Sequence, residues 1–255
     1  MVFWGYSGLR SSLGGPCFLY SQLKTMCGRA SLTKVEQELE QRFLSTFYSE
    51  DLERYNPLPN FNIAPTHMHP VITQHERDRL RLFRWGLIPF WAKDIKIGYK
   101  MINARLETIR EKKTYSSSLK SKRCIVPFDG FYEWKKSGDH KIPYRIGLKN
   151  VDIFTIAGLY DQWISPGGEL IHSFTLITHE PNAWMSAIHN RMPALLLPEY
   201  ERQWLEDDVP AEQLLDLLHP VPDDVMTGYT VSPRVGNVRE NNEELIKPYD
   251  YGEGI

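Results

Sequence analysis

Apolar and polar positions alternate along this chain in short runs, and clusters of turn residues separate the runs. Residues 71–73, 80–85, 124–127, 130–135, 143–148, 153–160, 173–178 and 226–232 are rich in β-branched and aromatic side chains and read as strands. Helical spacing is rarer. Thr33-Lys34-Val35-Glu36 has the form of a capping box, and Val35, Leu39 and Phe43 recur at helical intervals, so a helix is expected just after a strand carrying Cys27. Residues 103–109, 114–120, 182–188, the stretch around Trp204-Leu205 and residues 211–218 read as further short helices. Residues 55–67 carry Pro57, Pro59, Asn60, Asn62 and Pro65 and read as an irregular loop. Runs of strands with short helices between them predict a single α+β domain around a curved, mainly antiparallel sheet.

Residues 1–25 break this pattern. They mix Trp4, Tyr6 and Phe18 with Gly14-Gly15-Pro16, have no clear period, and lack the continuous apolar core of a signal peptide. They are expected to be a non-native or cleaved extension ahead of a domain over residues 26–249 and a tail over 250–255.

Composition changes this picture only by exclusion. The 255 residues are 42% hydrophobic and 24% charged, an ordinary globular balance able to bury one large core. No apolar run approaches the roughly 20 residues of a membrane span, so no membrane partner and a cytoplasmic location are expected. A net charge of −2 restricts any nucleic-acid site to a local patch. Cys17, Cys27 and Cys124 form neither a disulfide framework nor a zinc spacing, which fits a reducing compartment. His67 with His69, and His172 with His179, carry no accompanying carboxylate–histidine signature, so no metal and no cofactor are expected.

The chemistry begins at Met26-Cys27-Gly28-Arg29. Removal of Met26 makes Cys27 the N-terminus, with a thiol and a free α-amine on adjacent carbons. Such an amine titrates at about 7.7–8.0, against about 10.4 for lysine, so a useful fraction is nucleophilic near neutrality. A 1,2-aminothiol condenses with an aldehyde to a Schiff base and then closes to a thiazolidine. The plainer reading is a small core cysteine behind a chance methionine, and a genuine extension ahead of Cys27 would block the amine.

Four further segments carry polar residues in unusual company. They are Arg84-Trp85-Gly86-Leu87-Ile88-Pro89 with Trp91 close behind, Ile102-Asn103-Ala104-Arg105-Leu106-Glu107-Thr108, Pro127-Phe128-Asp129-Gly130-Phe131-Tyr132-Glu133-Trp134-Lys135, and Ile188-His189-Asn190-Arg191-Met192-Pro193. In this order behind Met26-Cys27-Gly28-Arg29, and with Val235-Gly236-Asn237 and Glu244-Leu245-Ile246 closing the chain, they resemble the SOS response-associated peptidase (SRAP) family of abasic-site processing proteins. The resemblance runs from residue 26 to about 249; the N-terminal extension departs from it.

The resemblance implies a pseudo-barrel core with flanking short helices and a suicide-type DNA-repair reaction. The N-terminal cysteine would form a thiazolidine with the ring-opened aldehyde of an abasic site in single-stranded DNA, shielding the lesion. The implied reactive set is Cys27, Asn103, Glu133 and His189. The side-chain types suit these tasks. An imidazole titrates near neutrality and fits the proton traffic of opening a hemiacetal. Glu133 lies between Tyr132 and Trp134, apolar neighbours that would raise its pKa. Asn103 offers donor and acceptor without charge. The plainer readings are a helix-end histidine, a solvated strand carboxylate and a helix cap.

Arg29, Arg105 and Arg191 would hold phosphates, with Pro65, Trp85 and Trp91 around the unstacked lesion. Surface salt bridges and core tryptophans are the alternatives. Lys112-Lys113 and Lys120 to Arg123 form a second basic cluster, either a solvated helix face or an extension of the groove. The expected partner is single-stranded DNA with abasic sites, bound by a monomer, at the nucleoid in a bacterium. Two readings compete. One is an N-terminal-nucleophile cysteine peptidase that removes its own leader. The other is a non-covalent reader of modified bases in duplex DNA, which needs no free N-terminus.

Overall fold

Strand-rich stretches pair into two sheets that pack around one core. The computed structural model describes residues 27–54 and 57–252; the expected extension over 1–25, Met26, and residues 253–255 of the expected tail lie outside the described residues. The chain enters through β1 (Ala30–Leu32), α1 (Glu36–Phe43), β2 (Thr46–Phe47), α2 (Ser49–Arg54) and β3 (Asn60–Ile63). It continues through β4 (Met68–Thr73), β5 (Arg79–Trp85), β6 (Asn103–Arg105), α3 (Lys113–Ser121), β7 (Arg123–Phe128) and β8 (Gly130–Ser137). Next come β9 (His140–Leu148), β10 (Phe154–Ile164), β11 (Leu170–His179), α4 (Ala183–Ser186), β12 (Met192–Pro193) and β13 (Leu195–Leu196). The last elements are α5 (Pro198–Trp204), α6 (Ala211–Leu215) and β14 (Met226–Thr230).

The larger sheet closes on itself. β5, β4, β7, β10 and β11 pair antiparallel in that order, and β11 returns to β5 in parallel, with Phe174 opposite Trp85. Closure of this five-stranded barrel removes the exposed edges that an open sheet must otherwise protect. Val126, Phe128, Ile156, Phe174 and Trp85 are buried within its core. β6 adds to β11 in parallel, placing Asn103 opposite Leu176.

The second sheet runs β14-β9-β8-β1-β3, all antiparallel. Asp129-Gly130 is the corner where the chain leaves the barrel for this sheet. The Asp129 carboxylate accepts hydrogen bonds from the Ser31 hydroxyl (2.6 Å), the Thr33 amide (2.7 Å) and hydroxyl (2.5 Å), and Arg145 (2.8 Å). The Arg145 guanidinium packs against Gly130, where a Cβ would stand 2.6 Å from Cζ, so a larger residue would have to push Arg145 off Asp129. One carboxylate thereby ties β1, which leads from Cys27, to β8, which carries Glu133.

The expected α+β class and mainly antiparallel curved sheet are what the chain adopts, but several local expectations fail. Thr33 does not cap a helix: its hydroxyl is drawn to Asp129, and α1 starts at Glu36 with the Glu38 carboxylate accepting the Val35 amide at 2.9 Å. Residues 103–109 form β6 and a 3-10 turn (Leu106–Thr108) instead of a helix, because the backbone finds partners on β11. The supposed loop over 55–67 contains β3, whose Asn62 side-chain Nδ2 donates to the carbonyls of Asn237 (3.0 Å) and Glu240 (2.8 Å). Cys27 precedes β1 and is not part of a strand. Among the described residues no helix is long and apolar enough to cross a membrane.

Candidate active site

Cys27 reaches its place by strand register. In the β1–β8 pair Ala30 faces Phe131, and the Tyr132 amide donates to the Arg29 carbonyl at 2.8 Å. Followed back from Ala30, that antiparallel register sets Gly28 opposite Glu133, with Cys27 the next residue out. Side chains alternate across a strand. Tyr132 and Trp134 pack on one face with Val231, Val235 and Leu245, which leaves Glu133 on the other face with the core residue Phe131. A carboxylate on the core-facing side of a strand is costly unless it is paired or hydrogen-bonded. Glu133 is 2% exposed and Cys27 3%.

The Cys27 backbone nitrogen donates to Glu133 Oε1. His189 Nε2 lies 3.8 Å from the second carboxylate oxygen. The Asn103 side-chain nitrogen lies 3.5 Å from the Cys27 carbonyl. Four segments far apart in sequence thus meet, Cys27 and His189 at the Glu133 carboxylate and Asn103 at the Cys27 carbonyl. Each partner is braced. His189 follows α4, where the Asn182 side chain accepts the Met185 amide (2.8 Å), and His189 Nδ1 accepts the Arg191 amide (3.2 Å). Tyr115 on α3 donates to the Asn103 carbonyl at 3.4 Å.

Burial pushes the Glu133 carboxyl above its ordinary range, with His189 and the Cys27 hydrogen bonds pulling the other way. Desolvation is the cause, not the expected flanking aromatics, which point to the opposite face. Burial, and then the charge of Glu133, push the Cys27 thiol well up, while Arg191 opposes them. The site therefore holds a thiol that needs a base and a carboxyl able to keep a proton. Cys27 also has a φ of 40°, in a left-handed region that costs a non-glycine residue roughly 1–3 kcal/mol. An N-terminal residue has no such torsion.

The expected DNA platform is only partly on the surface. Arg105 is exposed on β6 and Trp91 is 53% exposed. Arg29 is a strut: its guanidinium donates to Asn62 Oδ1 (2.9 and 3.2 Å) and to the Val235 carbonyl. Trp85 cannot stack on a base, because it is 1% exposed within the barrel core with its indole N–H on the Ile102 carbonyl at 3.0 Å. Pro65 is also buried. Arg191 is 8% exposed and already paired, with both guanidinium arms on Glu107 (2.5 and 2.9 Å) and one also on the Thr178 carbonyl (2.7 Å).

Arg123 leaves the second basic cluster. It is buried and donates to the carbonyls of Leu119 (2.8 Å), Lys120 (3.0 Å) and Trp204 (2.8 Å). Glu107 was visible in its segment but had no assigned role. Its partner lies 84 positions away, and local spacing carries no signal of that pairing.

The chain also resembles known proteins along most of its length. Residues 26–238 match the family model described as SOS response associated peptidase (SRAP). The chain is 43% identical over 228 residues to the abasic site processing protein YoqW of Bacillus subtilis (strain 168), covering 88% of this chain and 100% of that protein. It is 34% identical over 264 residues to the abasic site processing protein HMCES of Xenopus tropicalis, covering 87% and 78% respectively. A crystal structure of a protein from Bacteroides thetaiotaomicron superposes with a TM-score of 0.81 at 30% identity, over 88% of this chain and 100% of that one.

Proposed function

Because this chain belongs to the SOS response associated peptidase family, we propose that it captures abasic sites in single-stranded DNA as a thiazolidine on Cys27, once the residues ahead of Cys27 are removed. The damaged strand is then held in a covalent DNA–protein crosslink during the DNA-damage response. The observation that carries this reading is the placement of the Cys27 nitrogen against a buried carboxylate that His189 also faces. The nitrogen, its thiol and a proton carrier are buried side by side.

The steps follow from the chemistry of the groups. The freed α-amine enters as an ammonium, and Glu133, its proton affinity raised by burial, takes the proton that makes the amine nucleophilic. His189 relays the proton lost by the C1 hydroxyl to the ring oxygen as the bond between C1 and that oxygen breaks and the abasic sugar opens to its aldehyde. The amine adds to the aldehyde carbon to give a carbinolamine. Protonated Glu133 donates to the departing hydroxyl, and one water leaves as the imine forms. The Cys27 thiol then gives its proton through Glu133 to the imine nitrogen while sulfur bonds to the same carbon. The net change is one C–N and one C–S bond formed and one water lost. Asn103, close to the Cys27 carbonyl, holds the residue in register for this closure. Arg105 and Trp91, exposed on the surface, supply phosphate and stacking contacts for the strand.

Crosslinking of an oligonucleotide with one abasic site tests the reading in three proteins: the chain starting at Cys27, the chain that keeps the preceding residues, and Cys27→Ala. Only the first should give a product that survives denaturing gels, with a mass equal to protein plus oligonucleotide minus one water. Equal product from the blocked chain or from Cys27→Ala would refute it. A peptidase that frees its own N-terminus would convert the blocked chain first, seen as a lag that tracks loss of the leader.

A further inference from the structure

Glu107 takes no part in the steps above, yet it fills both arms of Arg191. The two ends of this pair differ. Arg191 is 8% exposed and also fastened to the Thr178 carbonyl. The Glu107 side chain keeps 42% exposure on the 3-10 turn that follows β6. Burial favours the neutral acid, but the hydrogen bonds and charge of Arg191 hold the Glu107 carboxyl below its ordinary value, so it is an anion. A carboxylate held in an arginine fork has the same bidentate geometry as a phosphate.

We infer that Glu107 stands in for a DNA phosphate in the free protein, and that strand binding exchanges this carboxylate for a backbone phosphate at Arg191. The inference rests on the DNA function proposed above. A nearly buried guanidinium without an anion would be strongly destabilising, so a resident carboxylate keeps Arg191 set for its ligand. The mobile partner is the more exposed one, so exchange moves Glu107 toward water and leaves Arg191 on Thr178. The carboxylate also leaves a donor unused, because Arg191 Nε is buried without a partner. A phosphate brings more acceptor oxygens than a carboxylate.

The exchange makes Glu107 an affinity-setting residue. Each strand bound must displace one anion, so Arg191 contributes less than a full cation to the release of counterions. The test is binding of an undamaged single-stranded oligonucleotide, so that no covalent step intervenes, by fluorescence anisotropy over a range of salt. Glu107→Gln keeps an acceptor oxygen for Arg191 and removes the charge; Glu107→Ala removes both, and thermal melts of each verify folding. Glu107→Gln should bind about fivefold more tightly at low salt. Its slope of log affinity on log salt should steepen by about 0.7, the value of one added phosphate contact on a single strand. Unchanged or weaker binding by folded Glu107→Gln, with wild type binding normally, overturns the inference and makes Glu107 a brace for Arg191. Failure of wild type itself to bind the strand overturns the DNA reading and this inference with it.

Discussion

Glu133→Gln should stabilise the fold and disable the chemistry. The sign follows from burial. In the folded chain the Glu133 carboxyl lies above its ordinary 4.5, chiefly through desolvation. A carboxyl with a raised folded pKa binds its proton more tightly in the native state. Stability therefore begins to fall as pH rises through the unfolded value, and the full loss is reached above the folded one. Each unit of elevation amounts to about 1.4 kcal/mol, or roughly 3–6 °C in melting temperature for a domain of this size. Glutamine keeps the acceptor for the Cys27 nitrogen but cannot ionise, so it escapes the penalty. The chain that retains residues before Cys27, melted from pH 4 to pH 8, should show Glu133→Gln matching wild type at the acid end and exceeding it at the alkaline end. In the chain starting at Cys27 the advantage should shrink, because the α-ammonium beside Glu133 offsets desolvation by pairing with it. Crosslinking by Glu133→Gln should fall about 10²–10⁴-fold, the usual cost of a positioned acid or base. A wild-type chain that gains on Glu133→Gln as pH rises would refute the burial argument. Crosslinking at the wild-type rate would remove Glu133 from the proton path.

Three other outcomes bear on separate parts of the structure. His189→Ala should slow crosslinking to a closed abasic sugar far more than to an acyclic aldehyde analogue in single-turnover assays, and equal slowing of both would reject the ring-opening role. Arg105→Ala should flatten the salt dependence of single-strand binding by less than one unit, since one phosphate contact contributes about 0.7; an unchanged slope would take Arg105 off the platform. Arg123→Met keeps the apolar stem but orphans the carbonyls of Leu119, Lys120 and Trp204, at about 1–3 kcal/mol each, so its melting temperature should drop by about 10 °C or more. A drop of a degree or two would show that water satisfies those carbonyls.

The sequence was most legible where a signal is local and least where it depends on a distant partner. The strands around Val126, Ile156 and Phe174 are announced by their own β-branched and aromatic runs and were found within a few residues of their true ends. β6 was misread because residues 103–109 have a helical composition, and only pairing with β11 makes residues 103–105 a strand. Thr33 looked like a helix cap because nothing nearby reveals that Asp129 will claim its hydroxyl. The same division runs through the site. Cys27, Asn103, Glu133 and His189 stand out only through the family resemblance, since each alone reads as well as a core cysteine, a helix cap, a solvated strand carboxylate and a helix-end histidine. The side of β8 on which Glu133 would lie could not be read in advance, since Tyr132 and Trp134 satisfy an apolar pattern on either face. Trp85 and Arg191 share composition with surface stacking and phosphate-binding residues, and only the closed barrel and the Glu107 pair distinguish them. Burial decides the chemistry here. The Cys27 nitrogen on a solvated strand carboxylate would be an ordinary surface contact, but against a desolvated one it meets a group whose raised proton affinity is what the proposed amine, water and ring-closing steps require.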